Sequence, residues 1–227
     1  MNIDNYQFYH DFSLFGFNNK QNSGTHKINQ GKKQNILFSY LTYAIEKVRD
    51  SINQPSFSFL EMYCADAFFT VAASRIGSNS TINCECFCID DFSHAYYPVN
   101  ELFKKLNVPA KLIKAKIDSR FNIPSCDIIM NAGGLYHMEN PEEILQKSYE
   151  KAKRYLIVQN VVTLNSKDED YFKIKRINQF HCTSRYSRES FDKLIKKLNY
   201  KVVYQHFNEL PKNQIDDRGS VYYLIEK

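Results

Sequence analysis

Acidic side chains follow three successive apolar segments in the first half of the chain. Glu61 ends the first segment, Asp90 and Asp91 follow the second, and Asp118 follows the third. Where such segments are parallel strands, their carboxyl ends meet at one edge of a sheet, and a carboxylate there can accept hydrogen bonds from ribose hydroxyls or an adenine amino group. The three sites together favour a nucleoside-type ligand over the alternative, in which Asp90 and Asp91 only cap a helix.

A histidine after the fourth apolar segment is a candidate base. Tyr136 and His137 follow this segment directly, and an imidazole at a strand end has the basicity to remove a proton from a hydroxyl or amine. A histidine that only bonds to backbone is the structural alternative. We predict that His137 acts as the base, with Tyr136 beside it.

Two further segments supply candidate substrate residues. Tyr9 and His10 lie in an aromatic-rich N-terminal stretch, which either straps the core or forms a lid that excludes water from a reacting centre. His181 and Arg185 precede the last long helical pattern and form a second candidate wall. Arg185 is suited to bind a phosphate or carboxylate, and a solvated surface arginine is its structural alternative.

The cysteines are predicted to be reduced structural thiols. Cys84, Cys86 and Cys88 alternate along one apolar segment and would point to one face of a strand, whereas a metal site needs ligands that converge from a turn. No metal site is predicted. The six cysteines also lack the regular loop spacing of a disulfide framework, so we expect a reducing compartment, the cytoplasm.

Apolar segments alternate with helical patterns along most of the chain, and this order indicates the fold. Strands are predicted over 57–62, 82–89, 111–115, 127–131, 155–159, 201–205 and 221–225, and helices over 34–49, 68–76, 99–106, from 141 onward and over 190–198. The last two strands have no helix between them and must be antiparallel. We predict a doubly wound α/β fold with a mostly parallel seven-stranded sheet, a terminal antiparallel hairpin and helices on both faces.

Length and composition limit the class of protein. The 227 residues suit one domain, assigned to residues 34–227, preceded by an aromatic-rich extension or lid over residues 1–33. Hydrophobic residues make up 43% and charged residues 24%, and no apolar run reaches the roughly 18 residues of a membrane span. The net charge of +5 is spread along the chain without a basic block, which disfavours nucleic acid as a partner.

Three stretches resemble motifs of the class I S-adenosylmethionine-dependent methyltransferases. Residues 59–70 resemble the first motif, an acid followed by a loop of small residues, and Cys88-Ile-Asp90 resembles the ribose-binding second motif. Residues 127–138, DIIMNAGGLYHM, with Pro141 after them, are similar to the fourth-strand motif in its LYHL form. The terminal hairpin is also typical of that family. The resemblance covers roughly residues 36–227.

The resemblance implies a role for each matching position, with S-adenosylmethionine as the cofactor. Glu61 would lie near the methionine amino group, and Asp90 would hold the ribose. Asp91 or Phe92 would flank the adenine, and Asp118 would accept from its amino group. The backbone of the loop after the first strand would lie beside the amino-acid and ribose part; its cofactor-binding residues are Tyr63, Cys64, Ala65 and Asp66. Asn131, Ala132 and Gly133 would line the methionine end.

The first motif departs from the family pattern. Tyr63, Ala65 and Ala67 occupy its three glycine positions, where glycine normally provides a positive φ or lets backbone approach a ligand. Tyr63 is the largest departure, whereas alanine adds only a methyl group.

These observations predict a methyltransferase that acts on oxygen or nitrogen of a small molecule or sugar unit. Two alternatives stay open: a tRNA-modifying (carboxy)methyltransferase, since the LYHL-type motif also resembles the wobble-uridine branch, and a non-catalytic scaffold whose cofactor site has degenerated. RNA as a partner would require a concentrated Lys/Arg stripe, which the sequence lacks. The expected partner is a small acceptor, no membrane contact is predicted, and a homodimer is left open.

Overall fold

The computed structural model describes residues 3–23, 25–51, 56–78, 83–91, 96–118, 120–176, 182–211 and 217–227. Phe92 and His181, both predicted to lie at the site, are outside the described residues. Within the described part, no helix is long and apolar enough to cross a membrane.

The elements alternate along the chain as the sequence predicts. The strands are β1 (Gln7–Phe8), β2 (Lys20–Gln21), β3 (Ser56–Met62), β4 (Asn83–Asp90), β5 (Ala110–Lys114), β6 (Cys126–Ala132), β7 (Ala152–Thr163), β8 (Phe172–Arg176), β9 (Cys182–Ser187), β10 (Lys201–Glu209) and β11 (Arg218–Glu226). The α-helices are α1 (Thr25–Ser51), α2 (Phe68–Ser78), α3 (Tyr96–Lys105), α4 (Pro141–Lys151) and α5 (Arg188–Lys197), and short 3₁₀ turns cover Ile3–Asn5, Ser13–Phe15 and Leu135–His137.

Among the residues that the structure describes, the main sheet has nine strands, and seven of them follow one another in the order β10-β11-β7-β6-β3-β4-β5. Neighbours from β7 to β5 are parallel, and β11 is antiparallel to both β7 and β10. The predicted doubly wound sheet with a terminal antiparallel hairpin is therefore confirmed. The winding direction reverses between β3 and β6, and the carboxyl ends of strands at such a switch point form the usual ligand crevice.

The sheet separates two apolar layers because successive side chains of a strand point to opposite faces. In β3, Phe57 and Phe59 pack with residues of α1, α2 and α3, whereas Leu60 and Met62 pack with residues of α4 and α5. Helices therefore cover both faces, as predicted. Burying each such side chain contributes about 1.5–3 kcal/mol, which fixes the register of the strands that carry the site.

A strand pair at the carboxyl end of β7 was not predicted from the sequence. β9 pairs with β7 in parallel at Val162 and Thr163, and β8 pairs antiparallel with β9. All five side chains of β8 are exposed, and the alternation of Phe172 and Ile174 with lysines is too short to indicate a strand by itself.

Helix α1 and the segment before it differ in extent from the prediction. The helix begins at Thr25, so residues 25–33 of the predicted extension are its first turns. The residues before it pack closely: Phe8 and Phe12 are fully buried, and the Phe12 ring lies 5.3 Å from that of Phe68 on α2. The N-terminal segment is thus fixed to the core beside the carboxyl edge of the sheet.

Candidate functional site

A cavity of about 610 Å³ lies at the carboxyl ends of β3, β4 and β6. The sheet edge contributes Glu61, Asp90 and Ala132 to its wall, and the N-terminal segment and α1 close it from the other side. A volume of this size suits a cofactor or a small ligand.

The loop after β3 has a left-handed backbone at three positions without a glycine. The φ angles are 56° at Tyr63, 48° at Ala65 and 58° at Ala67, the same three positions at which the resembling family has glycine. For an L-residue this conformation costs roughly 1–2 kcal/mol. The Asp90 carboxylate accepts the Ala65 N–H at 3.0 Å, and the Cys64 carbonyl accepts the Ala67 N–H at 2.6 Å. Hydrogen bonds therefore hold a conformation that glycine would adopt without strain.

Tyr63 fits at the first of these positions because a glycine lies opposite its ring. A Cβ atom added to Gly134 would lie 2.0 Å from Tyr63 Cδ2. The Tyr63 hydroxyl is buried and has no hydrogen-bond partner in the described part of the chain. Burial, with a smaller contribution from the charge of Asp90, raises the pKa of Tyr63 above its ordinary value, so the hydroxyl keeps its proton and can donate to a ligand.

Glu61 lies at the base of the cavity, and its carboxyl group is almost entirely buried. One carboxyl oxygen accepts the Thr70 N–H at 2.7 Å and the Thr70 hydroxyl at 2.6 Å, which ties Glu61 to the first turn of α2. Burial raises the pKa of Glu61 to about 8 despite these hydrogen bonds. A cation bound beside it would favour the ionised carboxylate.

The acids at the second and third strand ends lie in different places. Asp90 and Asp91 both line the cavity. Asp118 is not among the residues that line it: its carboxylate accepts from the backbone and guanidinium of Arg120, both at 2.9 Å, in a local turn, and Arg120 also lowers the pKa of Asp118. The wall beyond β5 is formed instead by Lys116 and Ile117.

Two other predicted donor-site residues contact protein groups and do not line the cavity. The Asn131 amide donates to Ser148 Oγ on α4 at 2.9 Å, so the side chain points away from the cavity that Ala132 and Gly133 line. The carboxylate of Asp66, which is fully buried, accepts the His10 backbone N–H at 2.8 Å and lies 2.7 Å from His10 Nδ1. Asp66 therefore fixes the N-terminal segment to the loop after β3.

The predicted substrate and base residues divide in the same way. Tyr9, His10, Tyr136 and His137 all line the cavity together with the donor-side residues Cys64 and Ala65. Arg185 is not among the lining residues: its guanidinium lies 5.6 Å from the centre of the Tyr136 ring.

Helix α1 contributes cavity residues that sequence reasoning missed. Gln30, Lys33 and Leu37 line the cavity, and burial lowers the pKa of Lys33 to about 8. Their spacing of three and seven residues places them on one helical face, which is the signal that could have revealed them. The helix was predicted to begin only at residue 34, so this face was not considered.

The cysteines are all free thiols, and Cys84 Sγ lies 3.2 Å from Cys86 Sγ on β4. Among the described residues, no three His, Cys, Asp or Glu side chains are arranged to hold a metal ion.

No family model matches the sequence, and the search of curated proteins found no match. Solved structures are similar in fold. Magnesium protoporphyrin IX methyltransferase (ChlM) from Synechocystis PCC 6803, crystallised with bound SAM, matches with a TM-score of 0.62 over 96% of this chain and 94% of that one, at 8% identity. Coclaurine N-methyltransferase, bound to N-methylheliamine and SAH, matches with a TM-score of 0.60 over 83% of this chain and 70% of that one, at 12% identity.

The [4+2]-cyclase SpnF is also similar, with a TM-score of 0.57 over 84% of this chain and 79% of that one, at 11% identity. The chain therefore has the class I methyltransferase fold. Since a cyclase has the same fold, the fold alone does not determine the reaction. The reaction has to be inferred from the residues of the site.

Proposed function

We propose that the protein is an S-adenosylmethionine-dependent methyltransferase that acts on oxygen or nitrogen of a small molecule or sugar unit. The observation that carries the proposal is the left-handed backbone at Tyr63, Ala65 and Ala67. A protein that needed only the fold would have no reason to keep three strained positions beside a cavity, since strain of this kind persists where it serves a site. The scaffold alternative is disfavoured for that reason.

The residues of the cavity suit S-adenosylmethionine at each end of the molecule. Asp90 is suited to the ribose hydroxyls, Asp91 and Ile117 to the adenine side, and Glu61 to the amino group. The buried Tyr63 hydroxyl, which lacks a partner among the described residues, is a donor that a ligand would satisfy. When bound, the cofactor supplies a methyl group on a sulfonium, which is already reactive toward nucleophiles.

The protein's own contribution is mainly to position the acceptor and to exclude water. Tyr9 and His10 form a wall of the cavity, and Asp66 holds His10 in place at 2.7 Å. Correct orientation of two reactants can lower a barrier by roughly 7–11 kcal/mol in favourable cases. Anchoring of the N-terminal segment is therefore the part of the structure that we expect to matter most for rate.

Two imidazoles are placed to remove a proton from the acceptor. His137 stays the prediction from sequence, and His10 is a second candidate because Asp66 binds Nδ1 and so leaves Nε2 as the ring atom available to a ligand. Once an acceptor is identified, turnover and the KM for the acceptor can be measured in His137→Ala and in His10→Gln. Loss of turnover at unchanged KM in His137→Ala alone would assign the base to His137. The reverse result would assign it to His10, and unchanged turnover in both would refute an imidazole base.

Calorimetric titration of purified protein with S-adenosylhomocysteine tests the proposal. We expect micromolar binding that falls at least tenfold in Asp90→Ala. Asp118→Ala is the matched control because Asp118 is also an acid after a strand but lies outside the cavity wall. No binding at millimolar ligand would overturn the proposal and favour the scaffold alternative, and retention of RNA that falls steeply with salt would favour a tRNA substrate.

A further inference from the structure

One face of α1 forms the end of the cavity opposite the acidic strand ends. Gln30, Lys33 and Leu37 lie on that face, and Tyr6 and Tyr9 of the N-terminal segment line the cavity too. This end therefore combines aromatic and aliphatic surface with one ammonium group and one amide.

The N-terminal part of α1 lies beside the connection between β10 and β11. Asn29, one helical turn before Lys33, donates to the carbonyl of Pro211 in the connection between β10 and β11 at 3.4 Å. The helix also contacts α2, β6, β7 and β11. Asp90 and Asp91, by contrast, lie on and after β4, which is on the other side of the switch point. An acceptor next to the donor would therefore meet the α1 face.

Lys33 has no carboxylate partner in the part of the chain that the structure describes. No hydrogen bond or ion pair of its ammonium group occurs there, and desolvation alone accounts for the lowered pKa, about 8. The group is still mostly charged at pH 7. A desolvated cation without a counter-charge is unfavourable, and an anion bound in the cavity would relieve that cost.

We propose that Lys33 binds a carboxylate group of the methyl acceptor, whose planar apolar part packs against Tyr6, Tyr9 and Leu37. The acceptor class is thus an aromatic or otherwise planar carboxylic acid. This inference rests on the proposed function. It also moves the anion-binding role from Arg185, which contacts the Tyr136 ring and is not among the residues that line the cavity, to Lys33, which is.

Ligand-observed NMR titration with benzoate and benzamide, each with and without S-adenosylhomocysteine, tests the proposal. The two probes have the same ring and differ in charge. We expect wild-type protein to bind benzoate at least tenfold more tightly than benzamide. Lys33→Met should remove this preference, and Lys33→Arg should keep most of it. Lys32→Met is the matched control, since Lys32 is the exposed neighbour on the same helix.

Equal binding of the two probes to the wild-type protein would overturn the proposal without any variant. So would an unchanged preference in Lys33→Met. A third result would also refute the proposal: Lys33→Met weakens binding of S-adenosylhomocysteine but not binding of 5′-methylthioadenosine. Lys33 would then bind the carboxylate of the donor. Absence of S-adenosylhomocysteine binding beside intact benzoate binding would refute the proposed function alone, so the two failures are distinguishable.

Discussion

The buried carboxyl group of Glu61 makes binding of the donor depend on pH. Burial raises the pKa of Glu61 to about 8, so most of the free protein carries a neutral carboxyl group at pH 7. An ammonium group placed beside it favours the ionised form and lowers that pKa. Binding of S-adenosylhomocysteine should therefore release a proton from Glu61, and the affinity should rise as the pH is raised toward 8.

The size of the effect follows from linkage between proton and ligand. With a free-protein pKa of about 8, roughly nine-tenths of the protein is protonated at pH 7, and ionising it there costs about 1.4 kcal/mol. If the ammonium keeps Glu61 ionised in the complex, the affinity for S-adenosylhomocysteine should rise roughly fifty-fold between pH 6 and pH 8. About 0.9 proton should be released per ligand at pH 7.

Calorimetry in buffers of different ionisation enthalpy measures both quantities. Glu61→Gln is the control variant, because the amide oxygen can still accept from Thr70 at the same place while the titrating group is gone. Its affinity should be nearly independent of pH. 5′-Methylthioadenosine, which lacks the amino acid part, should show no proton release that depends on Glu61. A wild-type affinity that is flat from pH 6 to pH 8, or a pH dependence that persists in Glu61→Gln, would refute the reasoning.

Further predictions concern the loop after β3 and its supports. Ala65→Gly should raise the free energy of unfolding by about 1 kcal/mol in thermal melts, because it removes a positive-φ strain. Ala72→Gly within α2 should lower it by about 1–2 kcal/mol, because it removes a buried methyl group as well as helix propensity. Gly134→Ala should destabilise the protein by about 1–3 kcal/mol, since the added Cβ would overlap the ring of Tyr63. Gly31→Ala has open space around it and should stabilise the protein by up to about 1 kcal/mol. Asp66→Asn should speed amide exchange in the N-terminal segment, while the core strands keep their protection. A sign opposite to the predicted one for any of these four variants, or unchanged amide exchange in Asp66→Asn, would contradict these predictions.

The order of strands and helices could be predicted because it depends on hydrophobic periodicity. The apolar runs that became β3, β6 and β7 are buried on both faces, and the terminal hairpin follows from the lack of a helix between its strands. β8 was not predicted, since its alternation of Phe172 and Ile174 with lysines is too short to indicate a strand. The first turns of α1 were missed because residues 25–33 are polar apart from Ile28.

The site was predicted less completely than the fold, for a reason that lies in side-chain direction. A strand-end position indicates where a residue lies but does not determine what its side chain contacts. Asp118 and Asn131 follow or end strands as predicted, yet each points to a protein partner. Lys33 was not predicted because the helix was expected to begin at residue 34, whereas α1 begins at Thr25 and includes Lys33.

A crystal structure of the protein grown with S-adenosylhomocysteine tests the central claim most directly. We expect the ligand to occupy the cavity, with the ribose hydroxyls within about 3.2 Å of the Asp90 carboxylate and the amino group beside Glu61. An empty cavity at millimolar ligand, or a ligand bound anywhere other than over the loop of residues 63–67, would contradict it.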